Sequence, residues 1–393
     1  MATLEERSGE GPPEPAPAQT DEAARDRVID LLRAGATTTV VFYHWVFTIL
    51  VWRPDGPHAD NPIGYVSGLW SLTWVLQVLP LFFMAGGYTH SLAWVKYRDT
   101  PRSWRRFVAR RAGQLLVPAL MLIAVVAGGA TLIAGLRAGE DPWLVRGIVL
   151  ALSPLWFLVV YLLLIVTVPI WDALHRRFGE LAPIGLGVCA MAVDVARFRY
   201  DMEGIAFANL IFVWAACHQV GWSWDRLRAA PARFGHSLML IGLAALVGLT
   251  NMGLYPRSMV GTTSPLDRFS NMGPPTLPIV ALLTFQLGIV VANRARLAEW
   301  SLRPHVAGRV AWLSRNALPL FLWHSVGYAA FFAITRIWFD VPESPTTLWW
   351  VTRPIWLLGP ALMTLPLLAA SARLLRPSAA VTGARPRRGV APA

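Results

Sequence analysis

The sequence predicts an all-α fold, a polytopic transmembrane helical bundle of about ten spans with both termini cytoplasmic. Three observations carry this. Of the 393 residues, 55% are hydrophobic, and the mean hydropathy is +0.47. Charged residues make up only 15%, where a soluble domain carries about 25%. The apolar residues also fall in runs of about 18 to 25, the length that crosses a bilayer as a helix. A β-barrel would show short alternating segments instead.

Taken in order, the runs cover 33–53, 70–95, 111–136, 147–171, 181–196, 204–222, 235–254, 275–293, 311–338 and 348–372. The fifth is short and the ninth long, so a tilted or broken helix is expected at either. Basic residues fix the orientation, because cytoplasmic loops collect Lys and Arg. With these spans, 26 of the 35 fall on the side of the N-terminus, including the run from Lys96 to Arg111 and the group from Arg294 to Arg315. The split places both ends in the cytoplasm and requires an even number of spans. It also accounts for the net charge of +12 without nucleic acid. The expected home is the plasma membrane, multi-pass.

Residues 1–24 are rich in Pro, Glu and Ala, have no apolar core, and read as a disordered tail rather than a cleaved signal peptide. Residues 25–375 form the ten-span domain. Residues 376–393 read as a second cytoplasmic tail, basic through Arg385, Arg387 and Arg388. The two cysteines, Cys189 and Cys217, lie in apolar stretches and are expected as small buried hydrophobes, not a disulfide. The longest outer loop, about 255–274, cannot hold a domain, so any chemistry belongs to the bundle or its mouths. There is no visible internal repeat of the kind that inverted-repeat transporters show.

Several residues then stand out. His44 lies ten residues beyond Arg33, in Arg33-Ala-Gly-Ala-Thr-Thr-Thr-Val-Val-Phe-Tyr-His44. At ~1.5 Å per residue the two are roughly 16 Å apart along the axis. Arg33 therefore sits at the headgroups and His44 near mid-membrane, where an ionisable group is costly and marks a functional site by default. A neutral imidazole can take a proton from a hydroxyl; the plainer reading is a histidine bonded to a neighbouring helix. No acid lies at its depth, so an orienting partner should be neutral, and Tyr161 and Gln286 lie at comparable depth. His324 is a second histidine near mid-membrane. Arg110 and Arg111 stand at the mouth of span three and suit polyphosphate; topology and lipid headgroups are the plainer explanation. Gly86 and Gly87 permit close backbone approach to a helix or a ligand. Nucleophile-elbow, P-loop, dinucleotide and zincin motifs are missing, and no His cluster has metal spacing, so no metal is indicated.

These pieces together resemble the acyltransferase type 3 family of integral membrane proteins, over about 27–372. Asp30-Leu-Leu-Arg33 through His44 resembles its Arg-x10-His signature. Phe82-Phe-Met-Ala-Gly86-Gly87-Tyr88 is similar to its F-F-x-x-S-G-Y segment, with Gly86 at the usual serine. Arg110-Arg111 through Pro118, the stretch Leu155-Trp156-Phe157-Leu158, and Leu313 through His324 resemble further family segments. His218-Gln219-x-Gly221 and Asn271-Met-Gly-Pro-Pro275 resemble a high-Arg bacterial branch. Gln114 departs from the pattern, standing where many members have the second arginine of an R-x-x-R pair.

The resemblance implies a membrane O-acyltransferase. It would move an acyl group, often acetyl, from cytoplasmic acyl-CoA to a hydroxyl of a carbohydrate, glycolipid or related envelope or secreted molecule. Many members carry an extracytoplasmic SGNH-type domain. None is present here, which implies that acceptor chemistry is completed by the bundle or by a separate acceptor-side protein. On this reading His44 and His324 are the catalytic candidates. Arg33, Arg110 and Arg111 hold the CoA phosphates. Direct transfer and an acyl-enzyme both remain open. The alternative is a proton-coupled transporter or flippase of a lipid or small molecule, with the histidines as relays.

Overall fold

The computed structural model describes residues 26–54, 56–136, 142–261 and 269–374; both tails lie outside the described residues. Asp26 starts α1 (Arg27–Phe47) by accepting from the amides of Val28 and Ile29 at 2.9 and 3.1 Å. Its other oxygen accepts from the Trp224 indole at 2.6 Å. The cap therefore satisfies two otherwise orphaned donors and also docks the helix.

The first span was expected to run to 53. The helix instead stops at Phe47, and an antiparallel hairpin follows, β1 (Ile49–Arg53) and β2 (Gly56–Asp60), in the register Ile49 to Asp60. The cause is local. Pro54 cannot continue a helix and pushes Arg53 to extended backbone. Gly56 takes φ 117°, open only to glycine. This hairpin is the departure from an all-α chain among the described residues.

The remaining helices are α2 (Thr73–Leu76), α3 (Leu79–Arg98), α4 (Ser103–Leu136), α5 (Pro142–Leu152), α6 (Leu155–Val166), α7 (Val168–Phe178), α8 (Leu181–Tyr200) and α9 (Asn209–Trp222). Then come α10 (Trp224–Ala229), α11 (Ala232–Asn251), α12 (Leu277–Leu302), α13 (Pro304–Trp338), α14 (Thr347–Val351) and α15 (Arg353–Leu374). Among the described residues, nine helical stretches are long and apolar enough to cross a membrane. The less apolar α1, with Asp30, Arg33, three threonines and His44, is not among the nine. The protein is a multi-pass helical membrane bundle.

Several boundaries move. Span three begins at Ser103, so Arg110 and Arg111 lie inside α4, about two turns from its start. Span four breaks at Ser153-Pro154, between α5 and α6. The fifth span is a full 20 residues and the ninth is one unbroken 35-residue helix carrying Pro319.

The main core lies among α3, α6, α9 and α12, with Phe83, Leu164, Trp214 and Leu282 buried. A second cluster joins α1, α13 and α15 through Val41, Trp45, Tyr328 and Trp356. Helices α3 and α9 touch backbone to backbone: a Cβ at Gly87 would land on the His218 carbonyl, and one at Gly221 on the Met84 carbonyl. Outward faces stay apolar, as at Val117, Leu120 and Leu132 of α4, the surface that lipid covers. Cys217 is buried as expected, but Cys189 is exposed on α8; both are free thiols.

Candidate active site

On α1 the residues Arg33, Thr37, Val40 and His44 follow the i, i+4, i+7, i+11 spacing that keeps one helix face. That face opens onto a succession of cavities. Arg33, Thr37 and Val40 line one of about 80 Å³ that also touches Tyr161 and Phe321. Val40 and His44 line a much larger one of about 590 Å³. Val40 and Leu79 are walls of both, so the two adjoin. His44 then borders a third, of about 80 Å³, with His324 and Tyr328. His44 is exposed only because its ring faces these spaces from within the bundle.

The structure brings the two deep histidines together: the rings of His44 and His324 lie 5.1 Å apart. His324 is buried, and its Nδ1 lies 2.6 Å from the Phe321 carbonyl. A carbonyl only accepts, so Nδ1 carries the proton and Nε2 keeps its lone pair. The pairing is braced on either side. The Trp45 indole donates to the His324 carbonyl at 3.0 Å, and the Tyr328 hydroxyl donates to the Thr48 carbonyl at 3.1 Å. Tyr161 and Gln286, the neutral partners expected at this depth, are elsewhere. Tyr161 lines the Arg33 cavity, while the Gln286 amide donates to the Trp74 and Gln77 carbonyls at 3.1 and 2.9 Å, fastening the break before α3.

The three arginines gather at the other end. Arg33 and Arg111 both lie within electrostatic reach of Tyr161, and Arg33 and Arg110 within reach of Arg111. The Arg33 Nε is buried with no hydrogen-bond partner among the described residues. Arg110 is more exposed and turns to the Tyr97 hydroxyl at 3.5 Å. None of the ion pairs among the described residues involves these three. A cluster of guanidinium groups with no ion-pair partner among the described residues favours an anion.

Sequence reasoning missed three groups. Tyr43 lines the large cavity, and its buried hydroxyl has no partner among the described residues. The segment Ser270–Pro274, which the sequence offered only as part of a family-like stretch, forms a wall of the same cavity. Asn271 pins that wall: its amide donates to the Pro256 and Ser258 carbonyls, both at 2.7 Å, and its oxygen accepts from the Thr276 hydroxyl at 2.6 Å. Buried Asp194 secures the far side, accepting from the Leu277 amide, the Tyr255 hydroxyl and the Asn209 amide at 2.8, 2.9 and 2.8 Å. The third group is a second histidine pair, His90 Nδ1 to His218 Nε2 at 3.0 Å between α3 and α9, with the His90 ring 5.1 Å from that of Tyr161. His218 stands in one of the family-like segments, whereas only its polarity within an apolar helix signalled His90. Among the described residues, no group of His, Cys, Asp or Glu is placed to hold a metal.

The bundle thus joins a cluster of arginines at one end to a cavity that His44 lines. Comparison with known families supplies the rest. A family model described as an acyltransferase domain, that of the acyltransferase type 3 proteins, matches residues 26–371, and the chain belongs to that family. No curated protein and no solved structure matches it. The protein is therefore a membrane acyltransferase, an enzyme that transfers acyl groups other than aminoacyl groups, and membership sets it apart from the transporter reading.

Proposed function

We propose that the protein moves an acyl group, acetyl the expected one, from acyl-CoA to a hydroxyl of a carbohydrate, glycolipid or related molecule. One observation carries this: Arg33 and His44 share one face of α1 and open onto adjoining cavities. The arginine end suits the CoA phosphates, and the intervening space suits a long thioester arm. His44 takes the acceptor proton as the oxygen attacks the thioester carbonyl. The new C–O ester bond forms, the C–S bond breaks, and the thiolate leaves with that proton. His324, its Nε2 free to accept, positions the His44 ring. The Tyr43 hydroxyl is available to the acceptor or to the carbonyl oxygen. The same residues would serve an acyl-enzyme route through His44. No metal is needed for this chemistry.

Arg110→Ala combined with Arg111→Ala is expected to raise the donor KM with kcat nearly unchanged, because phosphate contacts are mainly a binding term. Each charge-assisted hydrogen bond is worth about 1.5–3 kcal/mol, so the shift is roughly tenfold or more. It should shrink at high salt. Steady-state kinetics with labelled acetyl-CoA check this, and an unchanged KM in correctly inserted protein moves the donor site elsewhere.

We infer that both termini face the cytoplasm of a plasma-membrane protein, so that CoA would reach the arginine end from that side. Reporters fused to either end should both read cytoplasm. A C-terminal fusion active on the outer side would contradict the even span count.

A further inference from the structure

The large cavity is apolar to a degree that bears on what enters it. None of the described residues in its lining carries a full charge; Tyr43, His44, Gln77 and Ser270 are its polar groups. Apolar and aromatic side chains, among them Leu76, Trp156, Phe207, Leu210 and Met272, supply most of the rest. Its volume is that of a site for a medium-sized organic molecule.

Two lining residues are also outer surface. Trp156 is 41% exposed and Phe207 63% exposed. Neither belongs to an aqueous loop. Trp156 lies near the middle of the span Leu144–Val166, and Phe207 is the fifth residue of the span Glu203–Trp222. On α6 the exposed side chains run Trp156, Val159, Leu163, an i, i+3, i+7 stripe that faces lipid. The wall between α6 and the 3-10 turn Glu203–Ala208 thus belongs both to the cavity and to the membrane-facing surface. The Ser270–Pro274 wall across the cavity is held by Asn271 and Asp194 through the bonds described above. It is a fixed rim rather than a swinging door.

We propose that the acceptor is a membrane-borne amphiphile that enters sideways from the bilayer, between Trp156 of α6 and Phe207–Leu210, and lays an uncharged hydroxyl-bearing portion against His44. This rests on the acyl-transfer reading above. A free sugar would leave most of its hydroxyls against apolar walls with too few partners, an unfavourable transfer from water. A phosphorylated head in the cavity would meet no cation in the described lining. An apolar body gains from the same walls.

The test uses Ser270→Cys in a chain also carrying Cys189→Ser and Cys217→Ala, reconstituted in lipid nanodiscs. Met272→Cys on the same rim serves as the replicate should Ser270→Cys fold poorly. The thiol is offered either a maleimide with a dodecyl chain, dissolved in the bilayer, or a sulfonated maleimide confined to water. The dodecyl reagent should label about tenfold faster or more, since its chain concentrates it in the bilayer. Leu210→Trp, which fills the gap, should slow that labelling about tenfold while leaving any sulfonate reaction unchanged. Equal or faster labelling by the sulfonated reagent, labelling by neither, or indifference to Leu210→Trp each overturns the lateral entrance. Release of CoA from acetyl-CoA by the unmodified protein is scored separately. Its failure would remove the acyl-transfer reading, whereas the labelling result tests only the entrance.

Discussion

His44→Ala is expected to lower acyl transfer by about 10²–10⁴-fold, the usual effect of removing a general base, with abundance in the membrane close to wild type. The second half of that expectation comes from geometry. His44 faces cavities, so truncating it enlarges a space that already exists instead of opening a void in packed core. A histidine retained for packing would behave in the opposite way, losing folded protein and keeping normal turnover per folded molecule. His44→Gln sharpens the contrast, because an amide still hydrogen-bonds but cannot take a proton at neutral pH. Labelled acetyl transfer, normalised to folded protein by size-exclusion profile, reads both variants. Near-normal turnover in His44→Gln would remove the base from His44 and turn attention to His324.

The second large effect concerns folding rather than chemistry. Gly87→Val should destabilise the bundle by more than about 3 kcal/mol, beyond the ordinary range for an overfilled core. The obstacle to a side chain at Gly87 is the His218 backbone carbonyl, which cannot swing aside as a side-chain tip would. Relief requires α3 and α9 to separate, and Gly221 against the Met84 carbonyl holds them from the other side. Separation would also part His90 from His218. Gly128→Ala is the matched control. Nothing lies within 4 Å of its added Cβ, and alanine favours a helix by about 1 kcal/mol over glycine. Thermal unfolding of detergent-solubilised protein should show a large drop for the first and none for the second. Equal midpoints would mean that the α3–α9 contact is looser than it stands here.

Much of this site was legible in the chain because burying charge in lipid is expensive. Arg33 and His44 announce themselves as ionisable groups in an apolar run, and a constant rise per residue converts their spacing into depth. His324 was legible on the same ground. That it would lie against His44 was not, since helical periodicity says which face is buried but not which neighbour covers it. Tyr43 was hidden by its type, an aromatic residue among aromatics. The hairpin has its signal in Pro54-Asp55-Gly56, but Ile49 through Trp52 prolong the apolar run up to it. Asn271 and Pro274 read locally as a helix start, and only the fold across α8, α11 and α12 makes that segment a cavity wall. Tyr161 and Gln286 show the limit of depth as a guide: a shared level in the membrane does not place two side chains on the same side of a helix.

Because Arg33 and His44 stand on one uninterrupted helix, α1 acts as a ruler. One extra residue between them would lengthen the interval by only ~1.5 Å but swing His44 about 100° away from its cavity. Facing is regained only after a whole number of turns, and seven added residues would stretch the interval by roughly 10 Å. Reach along this helix is therefore quantised and closed to gradual adjustment, whereas the rim at Ser270–Pro274 and the residues at the α6 gap can be exchanged one at a time. Exchanges at the rim or the gap would alter what the cavity admits and leave the interval from Arg33 to His44 as it is.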